Sequence, residues 1–268
     1  MTIVNRSLVT QTMSHSQKIS LDVTAPVARI TLAHPPLNIL DLEMMDELQA
    51  ALEQVEARGD VVVLVVKGSP RAFCAGVDVA AHTPDKVRPM LEKFHGVIRA
   101  LVQSKKVSIA AVEGACLGGG AELALVCDLV YTARDASWAF PEIKLGCYPP
   151  VAAAALSALV GQKRAADLIL TGRQISGDEA LAIGLATAAA RGEELETLVT
   201  DAVTRLSKLS PSSLAVAKKA FYAWDAMHFD KGLARAEQIY FDELMKTEDA
   251  VEGIQSFLEK RKPVWKGK

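Results

Sequence analysis

The chain has 268 residues, of which 50% are hydrophobic and 23% are charged. This is the composition of an ordinary globular protein that can bury a substantial core. Its 30 basic and 32 acidic residues leave a formal net charge of -2, so the chain has no overall field to attract a polyanion. We therefore expect no nucleic-acid partner, and any phosphate would have to be bound locally.

Cysteine usage and the apolar runs bear on the cellular compartment. The four cysteines include no C-x-x-C pair, which argues against a structural zinc site and against a disulfide framework. Residues 1–18 are polar and lack the apolar run of a secretory signal, so they are predicted to form a flexible tail. The most apolar run, residues 151–160, is too short to cross a membrane. These features predict a protein of the reducing cytoplasm without a membrane partner.

The first ordered part of the chain is predicted to be β-structure followed by a helix. Residues 19–23 alternate between apolar and polar, and residues 27–32 form a second such segment, which indicates a hairpin of two short strands. Asp41 can then cap an amphipathic helix that ends before Gly59.

An α/β pattern follows. Residues 61–66 are a run of apolar, mostly β-branched residues typical of a strand buried on both faces. A helix is predicted from about residue 86 to 103, and a second buried strand over 107–112. The pattern repeats with a glycine loop, a helix over about 119–127 and a short strand over 129–132. Alternating strands and helices of this kind predict an α/β fold.

The remainder of the chain is predicted to be helical. From Pro149 onward the apolar spacing stays near that of a helix, and no convincing strand reappears. Helix starts are indicated by a capping box at Ser176, by Pro211 and by Thr247. The predicted organisation is a tail over 1–18, an α/β core over 19–200 and a helical region over 201–268.

The strongest local signal is the glycine-rich segment 114–122, Gly-Ala-Cys-Leu-Gly-Gly-Gly-Ala-Glu, between a buried strand and a helix. Glycines there let the backbone approach a ligand and point free N–H groups at it, which is the physics of an oxyanion hole. The segment is not a P-loop, because Gly120 and Ala121 stand where Lys and Ser or Thr are required. It also fails the dinucleotide pattern at Leu123. The alternative is a glycine cluster that serves packing or a turn.

Two glutamates and one loop are further candidates. Glu122 and Glu142 both have apolar neighbours in sequence, where a carboxylate is costly unless it is used or paired, and burial would raise its pKa towards neutrality. The alternatives are a solvent-facing Glu122 and a Glu142 that pairs with Lys144 or serves as a charge at a helix start. In residues 73–78, Gly76 permits an unusual turn that could expose the N–H of Val77, although the segment could also be a simple loop.

Together these segments resemble the crotonase, or enoyl-CoA hydratase/isomerase, superfamily over about residues 38–265. The matching motifs are A-G-x-D at 75–78, L-G-G-G-x-E-L at 117–123 and P-E-x-x-x-G at 141–146. The resemblance implies the ClpP/crotonase-like α/β fold of repeated ββα units with a helical C-terminal trimerisation region. It also implies a homotrimer or a dimer of trimers.

The same resemblance implies a site and a reaction. The N–H groups of Val77 and Gly119 would form the oxyanion hole, and Glu122 and Glu142 would be the acid/base pair of a hydratase. The residues implied to surround the substrate are Ala75, Asp78, Val79, Gly118 and Pro150. Water would be added to a conjugated acyl-CoA through an enolate, with no metal and no cofactor, since coenzyme A is part of the substrate.

The chain departs from the hydratase pattern at residues 146–154. Many family members read G-x-x-P-G-x-G-G-T there, and in this chain Pro150 replaces a glycine whose N–H helps hold the reacting water. With this departure, the chain looks like cyclohexa-1,5-diene-1-carbonyl-CoA hydratases of anaerobic benzoyl-CoA breakdown. The same resemblance is carried by residues 81–85, the His95-Gly96 pair and residues 242–245. These enzymes form 6-hydroxycyclohex-1-ene-1-carbonyl-CoA.

Two other functions remain open from the sequence. One is an enoyl-CoA hydratase or isomerase acting on linear acyl-CoAs. The other is a non-catalytic or RNA-binding homologue, against which the near-neutral charge and the presence of both glutamates argue.

Overall fold

A computed structural model describes residues 17–268, apart from the side chains of residues 223–228. The predicted tail over 1–18 lies outside the described residues except for its last two. The strands are β1 (Ile19–Thr24), β2 (Val27–Leu32), β3 (Val63–Lys67), β4 (Ala72–Cys74), β5 (Val107–Val112), β6 (Ala115–Leu117), β7 (Leu129–Ala133), β8 (Ser137–Ala139), β9 (Ile175–Ser176) and β10 (Ala188–Ala190). The α-helices are α1 (Leu42–Ala57), α2 (Val87–Gln103), α3 (Gly119–Leu125), α4 (Pro150–Val160), α5 (Gln162–Thr171), α6 (Gly177–Ala182), α7 (Glu194–Leu206), α8 (Pro211–Asp242) and α9 (Glu248–Leu258).

The larger sheet is the core of the fold, with strands in the order β1-β2-β3-β5-β7-β10. The predicted hairpin is confirmed, because β1 pairs antiparallel with β2. The next strands are parallel, with Val63 opposite Val107, and every residue of β5 is buried. This is why the β3 and β5 segments are apolar runs and not alternating sequences. The predicted α/β class is confirmed.

A smaller sheet, in the order β4-β6-β8-β9, positions the candidate site. Strands β4, β6 and β8 are parallel neighbours, with Ala72 opposite Ala115 and Leu117 opposite Ala139. The carboxyl ends of parallel strands lie at the same edge of a sheet, where ligands commonly bind in α/β proteins. The three predicted motifs follow directly after these strands. The topology therefore brings them together although they are far apart in sequence.

The prediction that no strand follows Pro149 was wrong. Strands β9 and β10 lie in that part of the chain, and β10 pairs with β7 in the larger sheet. Segments of two or three residues are too short to show a period, and the Ala-Ala-Ala sequence of β10 has low intrinsic strand preference. Pairing and packing in the folded chain decide the structure there.

The predicted helix starts are confirmed. Ser176 Oγ accepts from the Glu179 N–H at 3.1 Å, and Thr247 Oγ1 accepts from the Ala250 N–H at 3.1 Å. Helix α8 begins at Pro211 and runs for 32 residues. No helix within residues 17–268 is long and apolar enough to span a bilayer. The boundary at residue 200 and the trimerisation role of the C-terminal region stay predictions.

Candidate active site

The loops that follow β4 and β6 are in contact. A Cβ atom placed at Gly119 would lie 2.7 Å from Val77 Cγ2 and 3.5 Å from the Val77 nitrogen. At Gly76, where φ is +110°, a Cβ atom would lie 3.2 Å from the Leu117 carbonyl oxygen. Glycine is required at both positions because a side chain would push the two loops apart. The predicted oxyanion-hole residues, Val77 and Gly119, are therefore neighbours.

Both predicted oxyanion-hole N–H groups are free to donate. Leu40 bridges the first loop, since its N–H donates to the Gly76 carbonyl at 2.9 Å and its carbonyl accepts from the Asp78 N–H at 3.0 Å. This pairing uses the groups on either side of Val77 and leaves the Val77 N–H unpaired. Gly119 is the first residue of α3, whose opening N–H groups have no acceptor within the helix. Within residues 17–268, neither N–H has a hydrogen-bond partner.

Glu122 lies on α3 and is 3% exposed. Its Oε1 accepts from the N–H groups of Val151 and Ala152, at 2.8 and 3.0 Å, which are the free donors at the start of α4. The alternative of a solvent-facing glutamate is therefore wrong. Burial raises the pKa of Glu122 to about 7, while the two N–H donors act in the opposite direction.

Glu142 lies in a short 3-10 helix, Pro141–Leu145, directly after β8. Its Oε1 packs against Gly118, where a Cβ atom would lie only 2.6 Å from it. Its Oε2 is buried and has no hydrogen-bond partner in the described part of the chain. Burial, followed by the charge of Glu122, raises the pKa of Glu142 well above its usual range. No ion pair joins Glu142 to Lys144 among the described side chains, so that alternative is not supported.

The loops enclose a narrow cavity of about 80 Å³. Eight of the predicted site residues line it: Ala75, Val77, Val79, Gly118, Gly119, Glu122, Glu142 and Pro150. Asp78 does not line it. The Asp78 Oδ1 accepts from the Ala80 N–H at 3.0 Å and caps the short helix Val79–His82. The geometry thus gives Asp78 a role in shaping the loop, and its contact with a substrate stays a prediction.

Several lining residues were missed by the sequence analysis, chiefly His82, Leu91, Phe94, Tyr148 and Tyr240. Leu91 and Phe94 are buried residues of α2, and their helical spacing in the sequence does not distinguish a cavity wall from the core. Tyr240 comes from α8, and no motif or spacing connects it to the glycine loop. Only the folded structure brings it to the cavity.

His82 adds a polar atom to this wall. Its Nδ1 lies 3.0 Å from the Asp78 carbonyl oxygen, to which it can only donate. Burial lowers the pKa of His82, which favours the neutral ring and leaves Nε2 as an acceptor. Among the described residues, no group of three or more His, Cys, Asp or Glu side chains is placed to share a metal ion. That the site works without a cofactor stays a prediction.

Comparison with known proteins identifies the family. The model of the enoyl-CoA hydratase/isomerase family matches residues 22–268. A cyclohexa-1,5-dienecarbonyl-CoA hydratase of Thauera aromatica is 36% identical over 252 residues, covering 94% of this chain and 97% of the relative. A probable enoyl-CoA hydratase of Bacillus subtilis is 36% identical over 255 residues, covering 93% and 98%. The crystal structure of an enoyl-CoA hydratase from Mycobacterium avium subsp. paratuberculosis superposes with a TM-score of 0.83 at 27% identity, covering 93% of this chain and 98% of that one. The chain therefore belongs to the enoyl-CoA hydratase/isomerase family and has the crotonase fold.

Proposed function

We propose that this enzyme is a hydro-lyase that adds water to a conjugated acyl-CoA thioester through an enolate. The observation that carries the proposal is a single cavity that contains two free backbone donors and two buried carboxyl groups. The N–H groups of Val77 and Gly119 would bind the thioester oxygen, and Glu122 and Glu142 would move protons. Family membership supports the same reaction class.

The surroundings of the two carboxyl groups support different roles for them. Glu122 accepts two N–H hydrogen bonds, which stabilise its ionised form. Glu142 accepts none at Oε2 and lies in the field of Glu122, so it holds its proton more tightly. Two carboxyl groups whose pKa values are pushed apart in this way act as a base and an acid. We therefore assign Glu122 as the general base and Glu142 as the general acid.

In this mechanism the two N–H groups polarise the thioester carbonyl and make the β-carbon electrophilic. Glu122 takes one proton from water while the water oxygen forms its bond to the β-carbon. The electron pair of the carbon–carbon double bond moves towards the thioester oxygen and gives the enolate. Glu142 then gives its proton to carbon, which completes the addition of one water molecule. Each N–H donor lowers the activation barrier by ~3 kcal/mol, and each proton transfer accelerates the reaction by about 100-fold or more.

For the acyl group we propose a cyclic dienoyl thioester, cyclohexa-1,5-diene-1-carbonyl-CoA, hydrated to 6-hydroxycyclohex-1-ene-1-carbonyl-CoA. Support comes from the name of the Thauera relative and from Pro150, which lines the cavity as the first residue of α4. In this ring the enolate is conjugated with the second double bond. The proton from Glu142 would therefore go to a ring carbon beyond the α-position. The second candidate is a linear enoyl-CoA, favoured by the equally similar Bacillus relative.

The test is a comparison of kcat/KM for cyclohexa-1,5-diene-1-carbonyl-CoA and for crotonyl-CoA. We expect a value for the cyclic diene at least about tenfold higher, because a pocket shaped for a ring discriminates by its fit to the transition state. A higher value for crotonyl-CoA would contradict the cyclic substrate and support the linear one. No hydration of either thioester would contradict the hydratase function itself.

We also propose that the enzyme forms a homotrimer or a dimer of trimers and works in the cytoplasm. The large apolar side chains of Val216 and Phe221 on α8 are 67% and 74% exposed, which supports a subunit contact there. The cysteines of the described chain are free and buried, which supports a reducing compartment. Light scattering on the purified protein would measure the number of subunits.

A further inference from the structure

Two polar atoms of the cavity wall lack a hydrogen bond of normal geometry. Tyr240 is 1% exposed, and its hydroxyl makes no hydrogen bond of normal geometry with the described residues. Its polar neighbour is the Cys147 thiol, whose sulfur is only a weak acceptor. Oε2 of Glu142 also has no hydrogen-bond partner among the described residues. Both residues line the cavity that contains the candidate active site. Buried polar groups are nearly always hydrogen-bonded, so an enclosed donor and an enclosed acceptor that line the same cavity indicate that a ligand oxygen binds there.

The position of the Tyr240 hydroxyl is fixed by the packing of α8. Leu233, Ala236 and Tyr240 form the buried face of this helix near the cavity. The Tyr148 hydroxyl donates to the Ala236 carbonyl, and the Tyr148 ring packs edge-on against Tyr240 with ring centres 5.2 Å apart. His95 Nδ1, on α2, lies 2.6 Å from Glu237 Oε1. The hydroxyl is therefore held at the cavity by contacts from two other parts of the fold.

The other donors of the site already have assigned acceptors. Val77 and Gly119 are assigned to the thioester oxygen. At the start of α4, the two N–H groups that follow Pro150 donate to Glu122 Oε1. Pro150 itself has no N–H. An oxygen atom next to the glutamates would thus find its donor in Tyr240.

We propose that Tyr240 binds the oxygen atom that the reaction adds to the acyl group. The proposal rests on the hydratase function and assigns a further substrate-binding residue to it. Before addition, the water molecule would donate one hydrogen to Glu122 and the other to Oε2 of Glu142, whose own acidic proton would be carried by Oε1. It would accept from the Tyr240 hydroxyl with one lone pair and keep the second for the β-carbon. After addition, the same three side chains would hold the hydroxyl group of the hydroxyacyl-CoA.

The experiment compares the binding of hydroxylated and hydroxyl-free ligands. Glu122→Gln prevents turnover while its amide oxygen can still accept from the start of α4, and the second variant adds Tyr240→Phe. Calorimetric titrations use 6-hydroxycyclohex-1-ene-1-carbonyl-CoA against cyclohex-1-ene-1-carbonyl-CoA, and 3-hydroxybutyryl-CoA against butyryl-CoA. The matched control is Tyr131→Phe, because Tyr131 is a buried tyrosine on β7 that does not line the cavity.

We expect Tyr240→Phe to weaken binding of the hydroxylated ligand by about tenfold, the effect of losing one hydrogen bond to a ligand hydroxyl. Binding of the hydroxyl-free ligand should stay within about twofold, and Tyr131→Phe should change neither value. An equal loss for both ligands, or no loss for either, would overturn the proposal. If only the linear pair binds, the cyclic substrate is excluded while the role of Tyr240 is still measured on that pair.

Discussion

Gly118 offers a sharp test of the site because it lies against Glu142, the proposed general acid. Its backbone has φ +51° and ψ −127°, and it precedes the first residue of α3. A Cβ atom there would lie 2.6 Å from Glu142 Oε1 and 3.4 Å from Glu142 Cδ. Gly118→Ala therefore meets the end of a side chain that can rotate, so we expect Glu142 to move while the fold persists.

The expected effect of Gly118→Ala has two parts, one on stability and one on the rate of catalysis. A side chain at this backbone conformation, which lies outside the regions open to L-residues, costs about 1–3 kcal/mol, which corresponds to a fall in Tm of about 2–12 °C for a chain of this size. Relief of the contact displaces the Glu142 carboxyl group by about 1 Å, and a misplacement of this size costs about 100-fold in rate. We expect kcat to fall by that factor in a protein that remains folded.

The assay is a double-mutant cycle with Glu142→Gln. Gly118→Ala should lower kcat by about 100-fold in the wild-type background and by much less when Glu142 is already Gln, because the displaced acid is then absent. Gly96→Ala is the matched control, since the added methyl group would meet nothing within 4 Å among the described residues outside the neighbouring backbone of its own helix. Wild-type kcat in Gly118→Ala, or an equal loss in both backgrounds, would refute the reasoning.

Three further predictions follow from the same site. Glu142→Gln should lower kcat at least ~100-fold without lowering Tm, because it removes a proton donor and keeps the shape, and retained activity would exclude Glu142 as the acid. Since burial raises the pKa of Glu122 to about 7, the native state binds more protons than the unfolded state. The free energy of unfolding should thus fall as the pH rises from about 5 to about 7. Denaturant titrations of Glu122→Gln should show a weaker dependence of that free energy on pH. Pro150→Gly should lower the ratio of kcat/KM for the cyclic diene to that for crotonyl-CoA, whereas an equal loss on both would indicate only a damaged start of α4.

The local chemistry of the site could be predicted from sequence because each part is encoded in a short segment. The glycines at 118–120 predict an oxyanion hole, and the apolar neighbours of Glu122 predict a buried carboxyl group. The structure brings Glu122 and Glu142 to one cavity, as the motifs predict. Their different surroundings could not be predicted, because the donors to Glu122 come from Val151 and Ala152 on another helix.

The features that could not be predicted from the sequence depend on contacts between distant parts of the chain. Strands β9 and β10 are too short to have a period and exist because a neighbouring strand pairs with them. Tyr240 reaches the cavity through the packing of α8, and nothing in its own segment distinguishes it from a core residue. Asp78 belongs to the A-G-x-D motif, yet its carboxylate caps a short helix. A motif therefore identifies which residues matter but not which of them touches the ligand.

We propose that the cavity adds water to an acyl-CoA by means of Glu122 and Glu142. The most direct measurement is incubation of the enzyme with cyclohexa-1,5-diene-1-carbonyl-CoA and with crotonyl-CoA in water labelled with heavy oxygen, followed by mass spectrometry. Wild-type enzyme should incorporate one labelled oxygen into the hydroxyacyl-CoA product, and the folded Glu122→Gln/Glu142→Gln variant should incorporate none at the same enzyme concentration. Labelled product at the wild-type rate from the double variant, or no labelled product from the wild-type enzyme with either thioester, would contradict the proposed mechanism.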